Sequence, residues 1–184
     1  MLTAIIAPVS MAAHPHMWID ATIDLQLGDA GLRTVTVTWL FDQFNSADMI
    51  LSFDENRDGR LSEREQRSVR EDAFTHLVDS DYFLLAYRDS DPIEIHEAES
   101  FRAGIVDGRL FYEFSVPLNV PWQGMDTLVL AAFDESYFID FVSEPMRERY
   151  EFRGRTLHVE SRSLEHTSQG WGTIRVPALR MELQ

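Results

Sequence analysis

The sequence contains no cysteine, no lysine and no apolar run long enough to cross a membrane. The absence of cysteine excludes disulfide bonds, zinc–thiolate sites, iron–sulfur clusters and cysteine nucleophiles. Arginine supplies all 16 basic side chains, and the missing lysine carries no functional information. Since a membrane helix needs about 20 consecutive apolar residues, we expect no membrane span.

Recognisable catalytic motifs are also missing, because the chain has no nucleophile elbow, phosphate-binding loop or Ser-His-Asp motif. An enzyme is therefore the least favoured class. The net charge of −15 argues against nucleic acid and anionic membranes as partners and favours metal cations. With 184 residues, of which 45% are hydrophobic, the chain can bury the core of one domain.

The first 13 residues combine an apolar run with small residues near Ala13, which is typical of a signal peptide. The basic region that normally precedes the run is missing, so we expect the leader to be truncated at its start. The alternative is a buried strand or helix. The signal peptide predicts export to the periplasm and a mature domain over residues 14–184.

Most of that domain shows the period-two hydrophobic alternation of β-strands. Trp18–Leu27 and Thr34–Phe41 alternate on either side of a Gly-rich turn, which predicts a β-hairpin. Further strands are predicted at 82–87, 93–95, 101–106, 110–117, 127–133, 137–142, 150–152 and 156–160. Beyond Ser161 the alternation is weak, and Pro177 interrupts it. The predicted fold is mainly β, an antiparallel β-sandwich-like domain.

A helix–calcium loop–helix insertion is predicted at about 45–80, between the second and third strands. A short helical run covers 46–53, and Ser62–Val78 has the four-residue spacing of one amphipathic helix. The twelve residues Asp54–Glu65 between them match the EF-hand loop position by position. The predicted calcium ligands are Asp54, Asn56, Asp58, the backbone carbonyl of Arg60, and Glu65.

Two other positions agree with the loop pattern. Gly59 permits the sharp turn at the sixth position, and Ser62 at the ninth can hold a water. The alternative is an acidic surface turn in which Ser62 and Glu65 cap the second helix. Since no second loop accompanies the first, we expect a calcium ion here to be structural.

His14 and His16 follow the predicted leader and fall on one face of an extended segment. Two imidazoles so placed can share zinc, nickel, cobalt or copper. The alternative is a pair of exposed histidines at a loose terminus. Elsewhere, any one of His76, His96, His158 and His166 could complete a metal site in space, and His166 is predicted to lie in an irregular stretch. The acids of Asp134–Tyr137 are interpreted as turn residues.

Five segments stand out in chain order: 14–20, 37–44, the loop 54–65, 81–83 and 133–138. Together they resemble the bacterial exported proteins catalogued as domain of unknown function 1007. The resemblance covers essentially the whole chain after the leader, and Glu135 replaces a proline of the family pattern. The resemblance implies a periplasmic component of a transport system linked to nickel, cobalt or zinc.

The predicted function is a periplasmic metal-binding accessory protein for transition-metal transport, with a structural calcium site and a membrane metal transporter as its partner. One alternative is a calcium-stabilised interaction module that docks on a membrane transporter. A second is a copper redox enzyme that uses His14 as its N-terminal residue.

Overall fold

The computed structural model describes residues 15–124, 126–168 and 170–183, and the chain over these ranges is mainly β. The predicted signal peptide lies outside the described residues. In chain order the strands are β1 (Met17–Gly28), β2 (Gly31–Phe41), β3 (Leu84–Arg88), β4 (Asp91–Pro92), β5 (Ser100–Val106), β6 (Arg109–Pro121), β7 (Thr127–Ala132), β8 (Ile139–Pro145), β9 (Arg149–Phe152), β10 (Arg155–Ser168) and β11 (Gly172–Leu183).

These strands form two sheets, which confirms the prediction of a mainly β, sandwich-like fold. The five-stranded sheet has the order β5-β6-β2-β1-β8, and the six-stranded sheet has the order β4-β3-β7-β11-β10-β9. Neighbouring strands are antiparallel except for β1 and β8, which pair in parallel. The fully buried Trp39 lies in the core between aromatic rings, with its centroid 4.9 Å from that of Phe114 and 5.5 Å from that of Phe141.

The hairpin of β1 and β2 follows the predicted alternation over most of its length. Ile19, Ala21 and Ile23 of β1 are buried, as is Val37 of β2. Thr34, predicted to face outward, is only 3% exposed. The pairing of β2 with β6 shifts register between Leu32 and Thr34, and a bulge of this kind turns the following side chain to the other face.

The helical insertion is more irregular than the sequence predicts. It consists of α1 (Gln43–Phe53), α2 (Glu63–Val69), a π-helical turn (Arg70–Phe74) and a 3₁₀ segment (Thr75–Phe83). The single helix predicted over Ser62–Val78 is therefore correct only for its first half. The π-helical turn ends at the buried Phe74, whose ring stacks on Phe101 of β5 at 4.1 Å. We attribute the change of helix type to this packing.

The predicted strand start at Tyr82 is wrong, because β3 begins at Leu84. Asp81, Tyr82 and Phe83 all adopt positive φ angles, which a strand excludes. Tyr82 is buried, and its hydroxyl accepts a hydrogen bond from the Ala98 backbone at 3.0 Å. The predicted strand at 93–95 is also absent, and in this segment the strand β4 that pairs with β3 consists of Asp91–Pro92.

The tail is a long hairpin, although the sequence predicted irregular structure there. β10 and β11 pair from Leu157 and Leu183 to Ser168 and Gly172. Pro177 pairs with Ser163 of β10, while β7 pairs with β11 only from Ala178 onward, so among the described strands Pro177 is paired on one side alone. Proline in a sheet is found at such positions of incomplete pairing.

Candidate functional site

The Asp54–Glu65 loop begins directly after α1. Asp54 is the C-cap of that helix and is only 4% exposed. Its two carboxylate oxygens accept hydrogen bonds from the backbone amides of Asp58, at 3.2 Å, and Gly59, at 2.9 Å. Gly59 has a φ of +76°, in agreement with its predicted role at the sharp turn.

The middle of the loop carries the exposed oxygen donors. The Asn56 side-chain oxygen accepts from the Asp58 amide at 2.9 Å, and an Asp58 oxygen accepts from the Arg60 amide at 2.9 Å. The Asn56 side-chain amide also donates to Asp58 at 3.1 Å. These bonds fold the loop so that consecutive side-chain oxygens turn toward their own backbone.

Glu65 closes the loop from the first turn of α2 and is 5% exposed. One of its oxygens accepts from the Ser62 amide at 2.7 Å and from the Ser62 hydroxyl at 2.6 Å. The other accepts from the Glu55 amide at 2.9 Å. The hydroxyl of Ser62, and then its amide, lower the pKa of Glu65 below the ordinary 4.5. Glu65 is therefore held as an anion.

The loop contains the oxygen ligands that calcium prefers. In this structure those oxygens accept hydrogen bonds from the loop's own amides and from Ser62. Asp54 and Asp58 supply carboxylates, Asn56 an amide oxygen, and Glu65 a carboxylate that also forms the capping box with Ser62. Within the three described ranges, no group of three histidine, aspartate or glutamate side chains stands ready to hold a metal ion. Binding would require Glu65 to exchange its bond from the Ser62 hydroxyl for the ion.

His16 lies at the entry to β1, at one end of the sandwich. Its backbone amide donates to the Phe138 carbonyl at 2.8 Å, and its exposed ring lies 5.1 Å from the Phe138 ring. Its carbonyl accepts from the Asn45 side chain at 3.1 Å. His14 lies outside the described residues, so the pairing of the two imidazoles stays a prediction.

Asp42, near His16, links β1 to α1 through hydrogen bonds. Its carboxylate accepts from the backbone amides of Trp18, Phe44 and Asn45 at 2.8–3.0 Å, and from the Asn45 side chain at 2.8 Å. Burial alone would raise the pKa of Asp42, but the hydrogen bonds together outweigh burial and lower the pKa below the ordinary 3.8.

We expect Asp42 to make the protein acid-sensitive. Because its pKa is lower in the folded state, its stabilisation is complete above about pH 3.8 and is lost as the pH falls through the folded pKa. Asp42→Asn should therefore lose less melting temperature than wild type between pH 6 and pH 2.5. The matched control is Asp48→Asn, at an exposed position of α1. If both variants lose as much as wild type, Asp42 does not contribute.

The acidic residues after β7 lie in a turn, which confirms their interpretation as turn residues. Asp134 is 5% exposed and accepts from the amides of Ser136, Phe138 and Ile139 at 2.9–3.0 Å. The turn forms with Glu135 in the place of the family's proline. Asp134 is thereby committed to the backbone of this turn.

His166 is the histidine that sequence reasoning misplaced. It lies in β10 rather than in an irregular stretch, with its side chain 12% exposed. Its Nε2 is 2.5 Å from a carboxylate oxygen of Glu135, and the Trp171 indole donates to the Glu135 carbonyl at 3.2 Å. These contacts join the Asp134 turn to the β10–β11 hairpin. No local pattern signals a pair 31 residues apart.

Residues 1–159 match a family model described as protein of unknown function, DUF1007. The chain belongs to this family. It is also similar to a protein of Spirochaeta aurantia described as an uncharacterized 15.5 kDa protein in the trpE 3′ region. The two are 28% identical over 94 residues, which are 51% of this chain and 67% of the relative.

Four of the five segments that suggested the family, all except the loop 54–65, contact one another through hydrogen bonds. His16 is bonded to Phe138, Trp18 to Asp42, and the Phe133 amide to the Phe83 carbonyl. These contacts explain why residues so far apart in sequence occur together in one pattern. Over the same described ranges, no helix is both long and apolar enough to span a lipid bilayer.

Proposed function

We propose that this chain is a periplasmic accessory protein of transition-metal transport that is stabilised by a calcium ion in the Asp54–Glu65 loop. The observation that carries the calcium assignment is the loop itself. It brings oxygen donors at the spacing of an EF-hand between two helices, with a nearly buried carboxylate at each end, Asp54 and Glu65. Calcium supplies the positive charge that these anions lack.

The transition-metal part of the proposal is supported by the position of His16. Its ring is exposed at the start of β1, and the chain is strongly acidic, which attracts divalent cations. We propose that His14 and His16 bind zinc, nickel, cobalt or copper together. The membrane metal transporter is the proposed partner.

Calorimetric titration of the protein with zinc and nickel tests the histidine pair. We expect His14→Ala/His16→Ala to bind at least about tenfold more weakly than wild type, because direct ligands matter no less than the outer-shell groups that orient them. The matched control is His76→Ala/His96→Ala, which removes two exposed histidines elsewhere. Equal affinity in wild type and the His14/His16 variant would reject the site. Elemental analysis of protein from its native compartment should find one calcium per chain.

An interaction module that docks on a transporter is the second candidate function. It is favoured by a specific observation, the large exposed apolar side chains Phe138, Val142 and Met146 on and beside the edge strand β8. The two functions are compatible, since the Asp54–Glu65 loop and β8 are separate parts of the chain.

A further inference from the structure

The edge strand β8 presents a row of side chains that alternate between apolar and acidic. β8 ends the five-stranded sheet, where it pairs with β1 alone among the described strands. Phe141 is buried in the core, so the even-numbered positions on either side of it face outward. This row, the β8 strip, consists of Phe138, Asp140, Val142, Glu144 and Met146.

The apolar members of the strip are unusually exposed for their size. Phe138 is 49% exposed, Val142 51% and Met146 54%. On the neighbouring strand, Trp18 lies opposite Asp140 and is 49% exposed. Several large apolar side chains at one sheet edge mark a surface that gains free energy when a partner covers it.

The acidic members of the strip form no ion pair within the described residues, although Arg175 and Arg180 border the same cavities. Asp20, on the adjacent strand, pairs with Arg109 at 2.7 Å. Asp140 and Glu144, in contrast, have no ion-pair partner within residues 15–124, 126–168 and 170–183. A partner that covers the strip must therefore bring positive charge, since covering two unpaired carboxylates with apolar groups would cost free energy.

Two cavities lie along the strip, and they differ in chemistry. Asp140 borders a cavity of about 330 Å³ that is lined mainly by apolar groups, among them Phe133, Tyr137 and Trp171. Glu144 borders a polar cavity of about 730 Å³, which Glu148, Glu160, Glu182, His158 and Arg180 also line. Glu144 lies four positions after Asp140, which corresponds to about 13 Å along an extended strand.

The apolar cavity is bordered by a turn that hydrogen bonds hold in place. Asp134 fixes the turn before β8, and Glu135 joins it to the β10–β11 hairpin through His166 and Trp171. Tyr137, the last residue of the β-turn that begins at Asp134, remains 39% exposed. A surface that is already ordered binds with a smaller entropic cost.

We propose that the β8 strip docks an extended segment of a protein partner. An apolar side chain of the segment would lie over the apolar cavity beside Tyr137, and basic side chains over the polar cavity beside Glu144. An extended segment has the same period of two as the strip, and an unpaired edge strand can accept it by strand addition. Asp140 and Glu144 select positively charged residues. The proposal is independent of whether calcium occupies the Asp54–Glu65 loop.

The other occupants of such a surface fit less well. A second copy of this chain, paired through the same strip about a two-fold axis, would bring the unpaired acids of both copies together. An anionic lipid surface would be repelled by Asp140 and Glu144. Charge complementarity therefore favours a basic, partly apolar protein segment.

Fluorescence anisotropy with labelled nine-residue peptides tests the proposal. The probe alternates valine and arginine, a second peptide has glutamate for arginine, and a third has the probe's composition arranged in blocks. We expect only the alternating basic peptide to bind wild type well. Asp140→Asn/Glu144→Gln should weaken binding about tenfold, since two exposed charge pairs with the peptide would be lost.

The matched control is Glu97→Gln/Glu99→Gln, which removes two exposed charges before β5, at the opposite edge of the same sheet. It should bind the probe within about twofold of wild type. If both double variants weaken binding equally, the attraction is general and the strip is not the site. Val142→Arg places a positive charge in the strip at a position that is 51% exposed. It should abolish binding of the basic peptide and provides an independent check.

Two further measurements distinguish the alternative occupants. Sedimentation that shows a dimer of wild type, lost in Val142→Arg, would assign the strip to a second copy and overturn the proposal. Binding of wild type to phosphatidylglycerol vesicles, lost in the same variant, would overturn it in favour of a membrane. Monomeric protein that ignores the vesicles and binds the alternating basic peptide supports it.

Discussion

In calcium, the protein should melt about 5–10 °C higher than in chelator. An ion that binds only the folded state stabilises it by RT ln(1 + [L]/Kd), which is about 2.7 kcal/mol when calcium exceeds Kd a hundredfold. In a domain of this size, each kcal/mol shifts the melting temperature by about 2–4 °C. The physical origin is the mutual repulsion of Asp54, Asp58 and Glu65, which the ion removes.

Glu65→Gln should abolish most of that shift. The glutamine can still accept a hydrogen bond from the Ser62 amide, so the capping box is largely kept, but the closing bidentate ligand is lost. The matched control is Glu63→Gln, because Glu63 lies in the same first turn of α2 and is not a predicted ligand. The control should respond to calcium as wild type does.

The effect should be strongest around the insertion. α2 is anchored by Val69, which is fully buried, and the π-helical turn by Phe74 on Phe101. Leu61 of the loop packs on the core, but the strands of both sheets pair with one another, so we expect the sheets to stay folded in chelator. If wild type melts at the same temperature in calcium and in chelator, the calcium assignment is wrong.

The parts of the fold that could be predicted are those governed by local rules. The alternation of Ile19, Ala21 and Ile23 reports burial on one face of a strand, and this face is indeed in the core. The hydrogen-bonded order of the strands could not be predicted. In particular, the parallel pairing of β1 with β8 joins residues more than 100 positions apart.

The incorrect predictions of secondary structure arise where a contact between residues distant in sequence overrides the local pattern. The helix predicted through Val78 changes type near Phe74, where that ring packs on β5. The sequence predicts that Pro177 interrupts the alternation, yet Pro177 lies within β11, at a position that β7 does not pair with. His166 contacts Glu135, which is 31 residues away in sequence, so the local sequence does not predict this pair.

The candidate site divides in the same way. The loop Asp54–Glu65 is contiguous, so its oxygen donors and its turn at Gly59 can be identified from spacing alone. The engagement of Glu65 by Ser62 was foreseen only as the capping alternative, and the structure contains that capping box. The β8 strip was missed, since its meaning depends on β8 lying at a sheet edge.

Gly31→Ala should destabilise the protein by about 3 kcal/mol, in the range that overpacking of a tight site causes. Gly31 begins β2 and lies directly against the end of β6. A methyl group there would be 1.8 Å from the Val120 carbonyl oxygen and 2.7 Å from the Cα of Pro121. Both are backbone atoms, which cannot rotate away as a side chain can, so the strands themselves must separate.

The separation would also disturb the hydrogen bonds that close this end of the sandwich. The Trp122 amide donates to the Ala30 carbonyl at 2.9 Å, and the Trp122 indole donates to the Gly28 carbonyl at 3.0 Å. With about 2–4 °C per kcal/mol, the melting temperature should fall by about 6–12 °C. Thermal unfolding followed by circular dichroism measures it.

Gly28→Ala is the control for this substitution, since it lies in the same turn but has room. The nearest atom to a methyl group on Gly28 is a side-chain carbon of Arg33 at 3.6 Å, an ordinary van der Waals contact. We expect a change below about 1 kcal/mol, because the cost of the contact is small and alanine reduces the entropy of the unfolded chain. Gly31→Ala could instead melt at the same temperature as Gly28→Ala and wild type. The Val120 carbonyl would then lie farther from Gly31 than the 1.8 Å methyl–oxygen distance requires, and the register of β2 and β6 would have to be revised.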